Sequence, residues 1–283
     1  ARAIAPIATS IALTPRPNAA SGTDERAAAA RRLQERGVNP YAGQVKDSEG
    51  LMRAEGTLAP TPQQLNQFTR AALNEAGYTG PSMRATPGVL DRQQNIITAR
   101  MNRIVDIDVP ITPKFGQDVM RVADDYLGST PGQTLPPKLR NVATEILDAA
   151  TNPSGAPLSG SRLREWRTAL GRYTTSGDEA IRDAAHELRN VIDEATTDAL
   201  TAAGKTAEVA ELAQLRTQYR NLLVIADATT RGGRGGASGV LTPERVSTSA
   251  KRVFTRQSYA MDRATGLAQL SRDAEMIIGA APA

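Results

Sequence analysis

The sequence predicts an all-α fold, an elongated bundle of many helices with an extended N-terminal arm and a glycine-rich linker. Apolar residues recur at spacings of three and four along most of the chain, as they do on one face of a helix. Thr-Pro pairs repeatedly precede such stretches, and both residues suit a first helical turn. The chain is 40% hydrophobic but only 4% aromatic. Its alanine-rich faces bury little area, which predicts slender helices and contacts between subunits.

Residues 1–60 are predicted to form a partly extended N-terminal arm with one helix. The apolar stretch AIAPIATSIAL near the start is interrupted by Pro6 and lacks the features of a signal peptide. SGTDERAAAARRLQERG (21–37) is predicted to be the helix, and VNPYAGQVKDSEG (38–50), which contains turn-forming residues, is predicted to be a loop. Because the chain does not begin with methionine, we expect a processed protein or a piece of a longer one.

Residues 61–135 are predicted to form a helical region whose helices begin at Thr-Pro pairs. Thr61 and Gln64 have the spacing of a capping box, and Gly77 is placed to end that helix. Three further helices are predicted from Thr86 to about 105, from Thr112 to about 127 and, later in the chain, from Thr242 to about 256. The alternating segment RIVDIDVPI (103–111) resembles a strand but is short and contains proline.

Residues 136–230 are predicted to form an antiparallel helical bundle. Its first helix, which starts near Ser161, carries one apolar stripe that consists of Leu163, Trp166, Leu170 and Tyr173. Similar stripes run over 181–199 and 212–226, and short connections favour antiparallel neighbours. Trp166 is the one tryptophan of the chain, and we expect it to anchor the core and not to bind a ligand.

A Gly/Arg-rich linker is predicted at 231–240, and a C-terminal helical segment at 241–283. Five glycines in TRGGRGGASG make this linker costly to order without a partner. The surrounding tract, 231–263, holds seven basic and two acidic residues, whereas 177–200 holds seven acidic residues and two arginines. The sequence therefore predicts one basic and one acidic surface, although the net charge is only +4.

Arginine outnumbers lysine by 29 to 5, which suits bidentate phosphate contacts or, alternatively, reflects a high-GC genome. Eight basic residues are candidates for contact with nucleic acid, six in the basic tract and two in the segment SRLREWRTALGRY (161–173). The arginines of 161–173 fan around their helix, so salt bridges to neighbouring helices are the competing interpretation. Glu187, Glu194 and Asp198 on one flank of the next helix support that interpretation. The candidates are Arg231, Arg234, Arg245, Lys251, Arg252, Arg256, Arg164 and Arg167.

Nothing in the sequence indicates catalysis, so we expect no enzyme, no cofactor and no metal site. The chain has no cysteine and one histidine, His186, which excludes thiolate sites and most histidine metal sites. Gly204-Lys205-Thr206 ends like a phosphate-binding loop, but Ala199 stands where that loop needs its first glycine, so a turn between helices is predicted. Asp106 and Asp108 are too few for a convincing cation site. No apolar run approaches the roughly 20 residues that span a bilayer.

Several segments, in order, resemble the internal virion proteins that short-tailed bacteriophages eject with their genome. The resemblance extends over about residues 29 to 254. The segments are AARRLQERGVNPYAGQV, LMRAEGTL, QQLNQFTRAALNEAG, LSGSRLREWRTALGRY, LRTQYRNLLVIADA and GVLTPERVSTSAKRVF. The chain departs from the family where NPYAGQ replaces the more usual Thr-Pro-Gly-Gln, and it stops at 283 where relatives continue.

This resemblance implies a structural virion protein that is packaged near the portal in several copies. Such a protein leaves through the tail and helps to form a conduit for DNA across the host envelope. The implied partners are further copies of the chain, other internal, portal and tail proteins, phage DNA without sequence preference, and the host envelope after ejection. Two alternatives stay open: another helical virion component (portal-associated, scaffolding or tape-measure), and a cell-wall-cleaving module.

Overall fold

The chain forms an all-α structure, as the sequence predicts. A computed structural model describes residues 21–56, 59–127, 137–151, 156–174, 176–230, 238–253 and 266–279. Within these residues, 77% are helical, in twelve helices, and no strand is present. The predicted extension of residues 1–20 and the greater part of the linker at 231–240 lie outside the described residues.

The helices are numbered α1 to α12 in chain order. They are α1 (Ser21–Glu35), α2 (Ala42–Lys46), α3 (Glu49–Glu55), α4 (Pro62–Glu75), α5 (Pro87–Ile104), α6 (Pro113–Leu127), α7 (Pro137–Thr151), α8 (Gly160–Gly171), α9 (Glu179–Ala202), α10 (Thr206–Thr230), α11 (Pro243–Val253) and α12 (Leu267–Ile278).

The four helices predicted from Thr-Pro pairs, α4, α5, α6 and α11, each begin on the proline. At α4 the capping box is formed, because the Thr61 N–H donates to Gln64 Oε1 (3.1 Å) and the Gln64 N–H donates to Thr61 Oγ1 (3.2 Å). Gly77 follows this helix with a φ of +76°, and the Tyr78 N–H bonds the Leu73 carbonyl as in a Schellman motif. Local chemistry therefore sets both ends of α4.

The chain divides into two compact units. The first unit comprises the described residues within Ala1–Ala72, Pro81–Ala85 and Asp227–Ala283, and it contains α1 to α3, most of α4, α11 and α12. The second unit comprises Leu73–Gly80 and Thr86–Ala226, and it contains α5 to α9 and most of α10.

In the first unit, α12 packs against both α1 and α11. Its Asp273 side chain is fully buried and accepts two hydrogen bonds from Arg32 of α1, 2.7 Å from Nη2 and 2.8 Å from Nε. A bidentate guanidinium satisfies both carboxylate oxygens, which a buried charge requires. This ion pair joins the first and last helices of the described chain.

The prediction of a loop at 38–50 was wrong, because α2 and the start of α3 lie there. The Tyr41 N–H donates to Gln44 Oε1 (3.0 Å) at the start of α2, and Asp47 adopts a left-handed conformation that ends it. The Gly43 N–H donates to Glu55 Oε2 (3.0 Å), which links α2 to the end of α3. Hydrogen bonds between side chains and backbone stabilise these short helices, and residue composition does not reveal them.

The core of the second unit lies between α6, α7, α8 and α9. Each helix contributes buried side chains to this core, for example Phe115 of α6, Ile146 of α7, Trp166 of α8 and Ile192 of α9. Trp166 is 3% exposed, as expected of a core anchor, and its Nε1 donates to Glu145 Oε2 of α7 (3.1 Å). A buried indole N–H needs such a partner.

Ion pairs on the surface fix the relative direction of α6 and α9. Lys114 of α6 contacts Glu194 of α9 (3.1 Å), and Arg121, two turns later on α6, contacts Glu187 (3.0 Å), two turns earlier on α9. Because the order is reversed, the two helices are antiparallel. α6 therefore belongs to the same bundle as α7, α8 and α9, and the predicted boundary at 135 separates helices that share one core.

An isolated antiparallel β-bridge joins the segment that precedes α6 to the segment that precedes α8. Val109 and Leu158 exchange both backbone hydrogen bonds, each 2.8 Å long. This bridge is all that the strand-like alternation of 103–111 produces in the described residues. It lies beside Gly160, the first residue of α8, where an added Cβ would stand 2.4 Å from the Val105 carbonyl oxygen. The close approach requires glycine at this position.

Candidate nucleic-acid interface

Three of the predicted DNA-contacting residues, Arg245, Lys251 and Arg252, lie on α11. Val246 and Ala250 are buried on one side of this helix, so the basic residues lie at the edge of that side or on the opposite side. Lys251 and Arg252 are exposed and Arg245 is half-buried. Arg231, Arg234 and Arg256 lie outside the described residues.

The positive charge of α11 is partly balanced by carboxylates. Arg252 forms an ion pair with Asp227 at the end of α10. Glu275 of α12 interacts with Lys251 and accepts a hydrogen bond from Ser247. Burial raises the pKa of Glu275, and both of these contacts oppose that rise. Among the described candidates in the basic tract, Arg245 and Lys251 have no ion pair within 4 Å in the described chain.

The arginines of α8 contact carboxylates of neighbouring elements, as the salt-bridge interpretation predicts. Arg162 contacts Glu145 of α7 at 2.8 Å and lies over the Trp166 ring, 5.6 Å from its centroid. Arg164 contacts Asp106 at 2.8 Å. These guanidinium groups join α8 to the neighbouring elements, and each is paired with a carboxylate.

Arg167, the second candidate on α8, lies in a group of charges between α8, α9 and α10. Its Nε is 2.8 Å from Asp193 Oδ1, and Arg216 Nη2 is 3.2 Å from the same oxygen. Only 17% of the Arg167 side chain is exposed. A recessed side chain of this kind is poorly placed to contact a DNA duplex, so α8 does not form a continuous basic surface.

The arginines of α8 contact acids other than those that the sequence indicated. Glu187, Glu194 and Asp198 share one flank of α9, where we expected them to support pairing with α8. In the structure this flank contacts Lys114 and Arg121 of α6 instead. The role of Asp193 was not predicted. It belongs to the same acidic stretch, but nothing local indicates that it contacts two helices at once.

The remaining motifs show no reactive arrangement in the described part of the chain. Gly204 has a φ of +72° between α9 and α10, which confirms the predicted turn at Gly-Lys-Thr. His186 is exposed on α9. No group of three or more His, Asp or Glu residues could hold a metal ion among the described residues. None of the described helices has the length and apolar character to cross a membrane.

No protein-family model, curated protein or solved structure matches this chain.

Proposed function

We propose that this chain is a structural virion protein of a short-tailed bacteriophage or prophage, an internal protein that is delivered with the genome. In this role it helps to form the conduit through which DNA crosses the host envelope. The observation that carries the proposal is the ordered series of family-like segments from about residue 29 to residue 254. Each segment is weak alone, and the resemblance rests on their order and spacing.

The design of the helices is consistent with this role. The second unit combines a shared apolar core with ion pairs that join successive helices through exposed side chains, such as Lys114 with Glu194 and Arg162 with Glu145. Such pairs contribute little stability individually. They instead favour one arrangement of the helices over others, which suits a protein whose purpose is assembly.

Contact with the genome would be electrostatic and independent of sequence, because a conduit must pass every sequence equally. Lys251 and Arg245 on α11 are the described candidates that form no ion pair within 4 Å in the described chain, although Glu275 interacts with Lys251 at longer range. Arg231, Arg234 and Arg256 are the further candidates in the same basic tract. We therefore assign the DNA contact to this tract and not to α8.

Mass spectrometry of purified particles tests the proposal in the phage or induced prophage that encodes the chain. We expect the protein in full particles, in several copies per particle, and its loss from particles that have released their DNA. A portal protein, which stays in the shell, is the internal reference. Retention of the chain in emptied particles would favour the portal-associated or scaffold-like alternative, and its absence from full particles would contradict a virion role.

A further inference from the structure

An unbalanced group of three arginines and one aspartate lies between α8, α9 and α10. We call it the arginine cluster; it consists of Arg167, Arg189, Asp193 and Arg216. Asp193 Oδ1 is 2.8 Å from Arg167 Nε and 3.2 Å from Arg216 Nη2. These two nitrogens of different helices are therefore no more than about 6 Å apart. Arg189 lies one helical turn before Asp193 on α9.

The charges of the cluster do not cancel. Arginine stays protonated in proteins, so three guanidinium groups face a single carboxylate. Desolvation lowers the pKa of both Arg189 and Arg216, and repulsion by Arg167 lowers them further. Asp193 is the one carboxylate of the described chain whose charge counteracts these effects. A net charge of about +2 is thus held in a partly buried place, which is unfavourable without a further anion.

The hydrogen bonds of the cluster are also incomplete. Four buried N–H groups have no hydrogen-bond acceptor within the described residues: the Nε groups of Arg167, Arg189 and Arg216, and Arg216 Nη2. Two of these nitrogens, Arg167 Nε and Arg216 Nη2, are close to Asp193 Oδ1, but their N–H groups do not point at it, and this oxygen also has no hydrogen-bond partner. The one well-directed bond to Asp193 comes from Arg167 Nη2 and is long, 3.4 Å. Buried donors without acceptors are uncommon in folded proteins.

We propose that the arginine cluster is a binding site for a phosphate-type oxyanion. The cluster lacks negative charge and hydrogen-bond acceptors, and a tetrahedral oxyanion supplies both. Guanidinium groups bind such an anion in bidentate geometry. The side chains of Arg167 and Arg216 are 17% and 29% exposed, so parts of both reach solvent, whereas the four nitrogens named above are buried. This inference does not depend on the proposed virion role.

Titration calorimetry with inorganic phosphate, in chloride buffer of constant ionic strength, tests the site in the whole chain. We expect binding by the unaltered protein and at least tenfold weaker binding (about 1.4 kcal/mol) by Arg189→Gln, since this variant removes a charge-assisted hydrogen-bond donor. Arg182→Gln is the matched control, because it removes the same charge from the same helix at loosely paired contacts of 3.7–3.9 Å. This control should bind phosphate like the unaltered protein.

A second variant, Asp193→Asn, distinguishes an anion site from a purely structural cluster. Without phosphate its melting temperature should fall, because three guanidinium groups then lack any counter-charge. Phosphate should raise its melting temperature more than that of the unaltered protein. The proposal is overturned if the unaltered protein does not bind phosphate. It is equally overturned if Arg189→Gln and Arg182→Gln respond alike, since phosphate would then act only as a generally stabilising salt.

A short DNA duplex in phosphate-free buffer identifies the source of the oxyanion. If Arg189→Gln weakens duplex binding and Arg182→Gln does not, a DNA phosphodiester reaches the cluster. If both variants bind the duplex equally while only Arg189→Gln fails to bind inorganic phosphate, the ligand is a free phosphate or a small phosphorylated molecule. Either result supports the oxyanion site.

Discussion

At the residue scale, the protein uses its charged side chains mainly to join helices, and the environment of each pair determines its contribution. The Arg32–Asp273 pair and the Arg53–Glu49 pair illustrate the two extremes. Asp273 is completely buried, whereas Arg53 and Glu49 are 68% and 66% exposed. Water screens the exposed pair, while the buried carboxylate depends on its arginine.

Neutralising the buried carboxylate should therefore destabilise the protein far more than neutralising an exposed one. We expect Asp273→Asn to lower the free energy of unfolding by about 1.5–3 kcal/mol, because the buried side chain loses its charge-assisted hydrogen bonds to Arg32. Glu49→Gln, the control, should change it by less than about 0.5 kcal/mol. Urea denaturation measures both, and equal effects would contradict a structural role for the Arg32–Asp273 pair.

The pKa of Glu275 predicts a pH-dependent effect of its removal. Burial raises this pKa above its ordinary value of 4.5. The folded state therefore binds the proton more tightly than the unfolded state, and this stabilisation is present below the ordinary pKa and lost as pH rises through the raised pKa. Glu275→Gln should be more stable than the unaltered protein at pH 7, and this advantage should disappear towards pH 4. Urea denaturation midpoints between pH 4 and pH 7 measure this difference in stability. A difference that does not change with pH would contradict the prediction.

At the element scale, the stability of a helix start depends on whether the threonine of its Thr-Pro pair is used as a cap. Thr61 caps α4 through its side chain, whereas Thr86 makes no side-chain cap bond at α5. Thr61→Ala should cost about 1 kcal/mol of unfolding free energy, and Thr86→Ala only a few tenths. Chemical denaturation of the two variants compares them directly. Equal losses would show that the cap geometry does not determine the start of α4.

The first residue of α8 gives a second test at this scale. Gly160→Ala should destabilise the protein by about 1–3 kcal/mol, because its Cβ would meet backbone atoms of Val105 and Asp106 at 2.4 and 2.8 Å. Gly171→Ala, at the last residue of the same helix, meets nothing within 4 Å and should be neutral or slightly stabilising. Thermal unfolding measures the stability of both variants. Equal stability of the two would contradict a close backbone contact at Gly160.

The sequence predicted the helices better than their grouping. Proline starts, the Thr61–Gln64 cap and the Trp166 stripe are local signals, and the structure has all three. The short α2 was missed because a hydrogen bond from Gly43 to Glu55, twelve residues away, supports it. The partnership of α6 with α9 depends on Lys114–Glu194 and Arg121–Glu187 contacts that no local pattern specifies. The arginine cluster was missed for the same reason.

At the scale of the whole molecule, the prediction about DNA concerns the basic tract. Replacing Arg231, Arg234, Lys251 and Arg256 by Gln should weaken non-specific DNA binding and reduce the log-log salt slope by about 0.9 for each phosphate that the tract no longer neutralises. Arg252 is left in place because it contacts Asp227. The control replaces Arg162 and Arg164, which pair with Glu145 and Asp106 outside the arginine cluster; it should lower stability and leave the salt slope of the basic tract unchanged. An unaltered salt slope in the quadruple variant would show that the basic tract is not the DNA-binding surface.

The central claim, that this chain is an internal protein ejected with a phage genome, is tested most directly by electron cryomicroscopy of full and emptied particles. The claim predicts helical density next to the portal in full particles, in several copies around the tail axis, into which α6 to α9 fit as one bundle. The same density should be missing after DNA release. Density for these helices that persists unchanged in emptied particles, or that is absent from full ones, would contradict the claim.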